Sequence, residues 1–180
     1  MIIGITGKNG SGKTEVANYL KLKGFEYISL SDILREEAKK RNIRENRENL
    51  RNLGNELRKK FGPGILAELA LKKIKPDKNY CVDSIRNPNE IAELNKIKNF
   101  LLIGVKAKIE LRYKRVLDRG RIGDNISFEK FKELEEKENS KEEEKQQLDK
   151  CLKIADKIIE NNGTIEELHR KIDKILSSLT

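Results

Sequence analysis

Residues 7 to 14 read Gly-Lys-Asn-Gly-Ser-Gly-Lys-Thr, a G-x-x-x-x-G-K-[ST] run set directly after the apolar stretch Ile2–Thr6 and ahead of a helical pattern. Strand, glycine-rich turn, helix is the context in which this spacing wraps a phosphate. Gly7, Gly10 and Gly12 permit left-handed turns, which bring the backbone N–H groups of the loop around phosphate oxygens. The helix begun near Lys13 aims its positive end at the same charge. Residues Lys8, Asn9, Gly10, Ser11, Gly12 and Lys13 would then surround a triphosphate, Lys13 reaching the β and γ phosphates and Thr14 placing its hydroxyl on Mg²⁺.

The rest of the chain supplies what such a loop needs around it. Strand patterns at Ile2–Thr6, Glu26–Leu30, Tyr80–Asp83, Phe100–Val105 and Lys157–Glu160 alternate with helical ones, which predicts an α/β fold with a parallel sheet covered on both faces. The first helix, Lys13 to Lys23, stops at Gly24. Three helical stretches fill the interval between the second and third strands, the first capped by Ser31 and Asp32 and the second striped by Leu50, Leu53, Leu57 and Phe61; Gly62-Pro63-Gly64 breaks the chain before the third. Such an insertion exceeds what a crossover needs. Pro88 opens the next helix. Residues 128 to 150 are crowded with Glu and Lys and predict a solvated helix or mobile cover. Thr164-x-x-Glu167 is a capping box ahead of an apolar stripe from Ile165 to Leu179. At 180 residues, one domain over 1–180 is expected.

Charged residues make up 38% of the chain and the formal net charge is +9, which suits an anionic partner. Single-strand nucleic-acid binding usually adds aromatic stacking; aromatics are 5% here, with no tryptophan, so polyphosphate chemistry is favoured over nucleic acid. Cys81 and Cys151 lack metal-ligand spacing and read as reduced structural thiols. With no apolar run near about 18 residues, a cytoplasmic protein without a membrane partner is expected. The sole histidine, His169, lies in a helical stripe and reads as a surface or packing residue.

Other signatures choose among nucleotide chemistries. Asp83 ends the third strand, where a carboxylate can serve a second Mg²⁺ contact. Ser84 follows it, without the glutamate that activates water in motor-type ATPases, and the chain has no Asn-Lys-x-Asp guanine signature. A small-molecule kinase remains, which needs an acceptor pocket, arginines and a water-excluding cover. After the second strand, Arg35 can fork onto an acceptor phosphate and Asp32 can accept a hydroxyl proton or hold a metal-bound water. Arg86 stands three residues beyond Asp83 and can face the same acceptor. Arg115 and Arg119 lie one helical turn apart, on a face able to clamp ATP.

With those residues in place, the chain resembles the nucleoside and nucleotide kinases of the phosphate-loop superfamily over nearly its whole length, close to nucleoside monophosphate kinases and dephospho-coenzyme A kinases. Ser31-Asp32-Ile33-Leu34-Arg35 looks like the adenylate-kinase-type Gly-Asp-x-x-Arg, whose arginine holds the acceptor phosphate. Arg115 and Arg119 look like the paired arginines that open that family's lid. Ala155 to Thr164 is similar to the strand and loop where backbone groups meet adenine, which would place Asn162 and Gly163 there. The layout of Asp83 to Pro88 is also shared by nucleotide-kinase-like proteins of archaea and bacteria. The resemblance implies a three-layer fold with a five-stranded parallel sheet in the order 2-3-1-4-5, an acceptor-binding helical region at 31–74 and a lid at 119–150. It implies an ATP- and Mg²⁺-dependent phosphotransferase acting on a (deoxy)nucleoside monophosphate. Dephospho-coenzyme A kinase is the rival chemistry, and a nucleotide-gated regulatory or nucleic-acid-associated protein the rival of another class. Monomer and dimer are both open.

Overall fold

In the computed structural model, residues 1–120 and 123–179 are described; Arg121 and Ile122, inside the expected lid, and Thr180 lie outside the described residues. The sheet holds five strands, β1 (Ile2–Thr6), β2 (Glu26–Ser29), β3 (Tyr80–Ile85), β4 (Phe100–Lys106) and β5 (Lys157–Glu160), in the order β2-β3-β1-β4-β5 with every pair parallel. This is the expected order. Because side chains alternate across a strand, Ile2 falls on one face while Ile3 and Ile5 fall on the other.

Each face has its own helical layer. Helices α1 (Lys13–Leu22) and α9 (Ile165–Ser177) cover the Ile3/Ile5 face, where Val16, Leu20, Leu168 and Ile172 pack with Cys81, Ile103 and Val105. The opposite face is covered by α2 (Leu30–Lys40), α3 (Arg47–Phe61), α4 (Ile65–Leu71), α5 (Pro88–Leu94) and α8 (Leu148–Lys153), through Leu34, Leu53, Leu57, Leu66, Leu94 and Cys151. Both cysteines are buried and unbridged, and burial pushes both thiols far up, as structural thiols require. His169 stacks on Tyr19 with ring centroids 3.8 Å apart, and its Nε2 meets the Glu15 carboxylate at 3.0 Å, so it ties α9 to α1. Among the described residues no helix is long and apolar enough to cross a membrane.

Two local expectations change. The cap of α2 is Ser29, whose hydroxyl accepts from the Ser31 N–H at 3.2 Å, and not Ser31 or Asp32; the strand hands over to the helix without a turn between them. The charged stretch after α6 (Ile109–Arg119) is also less solvated than its composition suggests. Within α7 (Phe128–Glu136), Phe131 is 1% exposed, its ring 5.6 Å from that of Tyr113 and under the Arg112 guanidinium. Phe128 packs on the same tyrosine with ring centroids 5.1 Å apart, so two aromatic side chains seat a helix whose other positions are mostly Glu and Lys.

Candidate phosphate-transfer site

Every strand carboxyl end opens on the same edge of the sheet, and the loop Gly7–Thr14 crosses the middle of that edge. Its glycines are structurally obligatory. Gly10 has φ 76° and a Cβ there would lie 2.3 Å from the Arg112 carbonyl oxygen; Gly12 has φ 102° and its Cβ would meet Asn161 Nδ2 at 2.1 Å. Lys13 Nζ donates to the carbonyls of Gly7 at 2.7 Å and Lys8 at 3.0 Å, so the ammonium is drawn into the mouth of the loop. Burial pulls its pKa down to about 8, helped by Arg86 and Arg119 and opposed by Asp83 and Glu138. The buried Ser11 hydroxyl has no hydrogen-bond partner among the described residues. A tight positive cradle with a desolvated lysine fits a polyphosphate.

Beside the cradle lies a cavity of about 610 Å³. The loop contributes Gly7, Asn9 and Lys13, α2 contributes Leu34 and Arg35, the stretch entering α3 contributes Arg44 to Arg47, and Arg86, Arg119 and Glu138 close the rest. Six of the sequence-predicted residues, Gly7, Asn9, Lys13, Arg35, Arg86 and Arg119, are therefore brought to one space. Arg119 is held there by Asp124, at 2.9 and 3.0 Å, and reaches Asn9 Oδ1 at 3.4 Å, linking the end of α6 to the loop. Arg35 pairs with Asp32 at 2.6 Å on the exposed side of α2, and Asp32 itself is not in the cavity wall.

The remaining candidates surround this space. Asp83 is buried inside β3, which runs two residues beyond the expected end at Asp83 because the register against β1 slips by one residue between Gly4 and Thr6, Ser84 taking φ 67° and Ile85 pairing with Thr6. Its carboxylate accepts from the Tyr27 hydroxyl at 3.1 Å and from the Ser84 N–H at 2.6 Å. Thr14 is exposed in the first turn of α1. Arg115 donates to the Asn161 carbonyl at 3.0 Å, and Asn162 Oδ1 accepts from the Lys108 N–H at 2.8 Å, while Gly163 packs beside the Glu167 carboxylate. Lys8 turns away from the cavity to pair with Glu135 and Asp149 at 3.2 and 3.1 Å. Among the described residues no cluster of three or more His, Cys, Asp or Glu side chains could hold a metal ion by itself. The Thr14 hydroxyl and the Asp83 carboxylate are hard oxygen donors of the kind that suit a Mg²⁺ arriving on phosphates.

Several site residues escape a reading of the sequence. Arg44 and Arg47 reach the cavity because Asn46 caps α3, accepting from the Asn49 N–H at 2.8 Å; that cap is the one local signal that would have placed them. Asn161, one position before the expected Asn162, is buried and donates from Nδ2 to the Ser11 carbonyl at 2.9 Å. Arg112 is bound to Glu135 of α7 and to the Asn9 carbonyl, so the charged segment grips the phosphate loop through a pair 23 residues apart in the chain. Glu138 accepts from both Arg47 and Arg86.

Comparison with known proteins agrees with this geometry. The family described as an AAA domain matches residues 6–132. A UPF0200 protein of Sulfurisphaera tokodaii is 35% identical over 178 residues, covering 99% of this chain and 97% of that one. UPF0200 protein PH1008 of Pyrococcus horikoshii is 32% identical over 186 residues, with the same coverage of 99% and 97%. Among solved structures, TT1252 from Thermus thermophilus matches with a TM-score of 0.66 at 22% identity over 100% of this chain and 98% of that one. Shikimate kinase from Acinetobacter baumannii, in complex with shikimate, matches with a TM-score of 0.54 at 18% identity over 98% and 93% of the two chains. At such identities the structural matches establish the fold.

Proposed function

The chain belongs to the family described as an AAA domain and to the phosphate-loop kinase superfamily, and from that premise we propose that it transfers the γ-phosphoryl group of ATP to a small nucleotide-type acceptor, a (deoxy)nucleoside monophosphate. The observation that carries this reading is the convergence of Lys13 with Arg35, Arg44, Arg47, Arg86 and Arg119 around one cavity of about 610 Å³. One triphosphate does not need so many cations. Two phosphate groups brought end to end do, because their mutual repulsion must be offset before the transferring group can move.

The roles follow from position. The loop from Gly7 to Lys13 holds the donor triphosphate, with Lys13 leaving its carbonyl contacts for the β and γ oxygens. Thr14 and Asp83 would hold Mg²⁺, which would supply charge neutralisation to the donor phosphates. Arg115 and Arg119, with the Asn162–Gly163 turn, bracket the donor's nucleoside end. Arg35 and Arg86 orient the acceptor phosphate; its oxygen is already ionised at neutral pH, so alignment and charge serve it better than a base. The pairing of Asp32 with Arg35, outside the cavity wall, supports this over a hydroxyl acceptor that would need Asp32 as base.

The test is purified protein with labelled ATP and Mg²⁺ against a pooled panel of nucleoside monophosphates, nucleosides and dephospho-coenzyme A. Label appearing in a nucleoside diphosphate supports the reading. Release of phosphate at one rate whatever acceptor is present would overturn it in favour of a nucleotide-gated protein.

A further inference from the structure

Glu138 occupies an unusual position for an acidic residue in a site built for anions. Its side chain is 4% exposed. Oε1 accepts from Arg47 Nη2 at 2.5 Å and from Arg86 Nη1 at 3.1 Å, while Oε2 has no partner among the described residues. Burial raises its pKa, but Arg86, Arg47 and Lys13 outweigh that and hold it below the usual carboxylate range, so the group is an anion.

The donor geometry around Glu138 is that of a bound phosphate oxygen. Two guanidiniums from separate elements, one opening α3 and one following β3, converge on a single oxygen with the loop lysine nearby. Among the described residues Arg47 has no other hydrogen-bond partner, so its placement answers to an anion at this point. The carboxylate meets this need imperfectly. It presents one oxygen where a phosphate monoester presents three, carries one charge where that group carries nearly two, and leaves Oε2 buried without a donor. The segment that delivers it, residues 137 to 147, has little regular structure of its own: one bridge between Asn139 and Gln147, with anchors from Asn87 to the carbonyls of Glu143 and Lys145 and from the Gln147 N–H to the Arg86 carbonyl.

We propose that Arg47 joins Arg35 and Arg86 in the acceptor-phosphate site and that Glu138 is an internal stand-in which fills the place between Arg47 and Arg86 until a phosphate monoester displaces the carboxylate. This rests on the phosphotransfer reading for the identity of the phosphate, and it adds a gate: the site is held closed by the chain's own anion, and only a ligand with more charge and more oxygens opens it. No bond is made or broken; one ion pair is exchanged for another.

The probe is inorganic phosphate, titrated by calorimetry into protein already loaded with a non-hydrolysable ATP analogue, so that the phosphate loop is taken. Glu138→Gln keeps the size and an acceptor oxygen but removes the charge, and should bind phosphate about tenfold more tightly than wild type. Glu138→Asp, which keeps the charge but shortens its reach, should gain in the same direction, and it carries the test should the Gln variant fail to fold. Adding Arg47→Ala should erase the gain. Phosphate affinity unchanged or weakened in both Glu138 variants would overturn the proposal, making Glu138 an organiser of the arginines, as would a gain that survives Arg47→Ala. The loading step separates the two readings. Protein that takes up no ATP analogue refutes the phosphotransfer reading, while the effect of Glu138 on phosphate binding to unloaded protein still decides the gate.

Discussion

Arg58 and Glu90 form an ion pair wholly inside the protein, with Arg58 Nε and Nη2 donating to Glu90 Oε1 at 3.0 and 2.7 Å and side chains 1% and 0% exposed. The second oxygen of Glu90 is also used: Oε2 accepts the N–H groups of Arg86 at 2.8 Å and Asn87 at 3.1 Å, where α5 begins. Helix α3 is thereby fastened to the backbone of Arg86, whose side chain lines the cavity beside the phosphate loop.

From this follows the first prediction. Removing one partner strands the other charge in the core, at a cost of about 3–5 kcal/mol. Arg58→Met should lower the urea midpoint accordingly and, if folded, raise the acceptor KM by shifting Arg86. The double variant Arg58→Met/Glu90→Leu should recover part of the loss but not all, since the cap on Arg86 and Asn87 is gone. Full recovery of stability and KM together would show that the pair does not position Arg86.

The second prediction concerns protons. Lys13 has its pKa lowered to about 8 in the folded protein, from 10.5. Between those values the unfolded chain binds more protons than the folded one, so unfolding free energy rises with pH across that window, and below about pH 8 the cost of burying the charge is fully present. Denaturant melts of wild type against Lys13→Met should therefore move in favour of wild type between pH 7.5 and 9.5. Phosphate oxygens reverse the shift. ATP binding at pH 8.5 should take up more than half a proton, read by calorimetry in buffers of different ionisation enthalpy, and no uptake would mean that Lys13 does not meet the triphosphate.

The sheet and the loop were legible in the sequence because their signals are local. A glycine pattern and five apolar runs fix the fold, and Lys13, Arg35, Arg86 and Arg119 then fall together since each follows a strand or ends a helix at the same edge. What stayed hidden depends on distant partners. Glu138 reads as one more solvated acid in a charged run until Arg47 and Arg86, 91 and 52 residues away, are placed on it. Phe131 looks like a surface aromatic on a polar helix until Tyr113 and Arg112 close over it. The α2 cap lies two and three residues before the expected Ser31 and Asp32 for a local reason: Ser29, Ser31 and Asp32 all suit a cap, and only the direct strand-to-helix passage selects Ser29.

A third prediction separates two glycines with similar backbones. Gly12 and Gly24 have φ of 102° and 90°, but a Cβ at Gly12 collides with Asn161 Nδ2 at 2.1 Å whereas Gly24 has nothing within 4 Å. Gly24→Ala should cost roughly 1–2 kcal/mol, the left-handed penalty alone. Gly12→Ala should cost more than that and also abolish ATP binding, because Asn161 must leave the Ser11 carbonyl. Equal losses at the two sites would show that the Asn161 contact contributes nothing.

The last prediction turns on Asp32 and Arg35, paired at 2.6 Å with side chains 54% and 41% exposed. A pair so open to water is weak, so an arriving phosphate can take Arg35 from it with little resistance. If the acceptor is a monophosphate, Asp32 competes for the arginine and does no proton transfer. Asp32→Asn should then lower the acceptor KM a few-fold and leave kcat within about threefold, while Arg35→Ala raises that KM by about tenfold or more with a smaller effect on kcat. A hydroxyl acceptor demands the reverse, because a positioned base is worth about 10²- to 10⁴-fold and its loss would fall on kcat. A drop above 10²-fold in kcat for Asp32→Asn, with a mild Arg35→Ala effect, would therefore move the acceptor from a phosphate to a hydroxyl. It would also mean that Asp32 leaves its place on the outer side of α2 to reach the cavity during turnover.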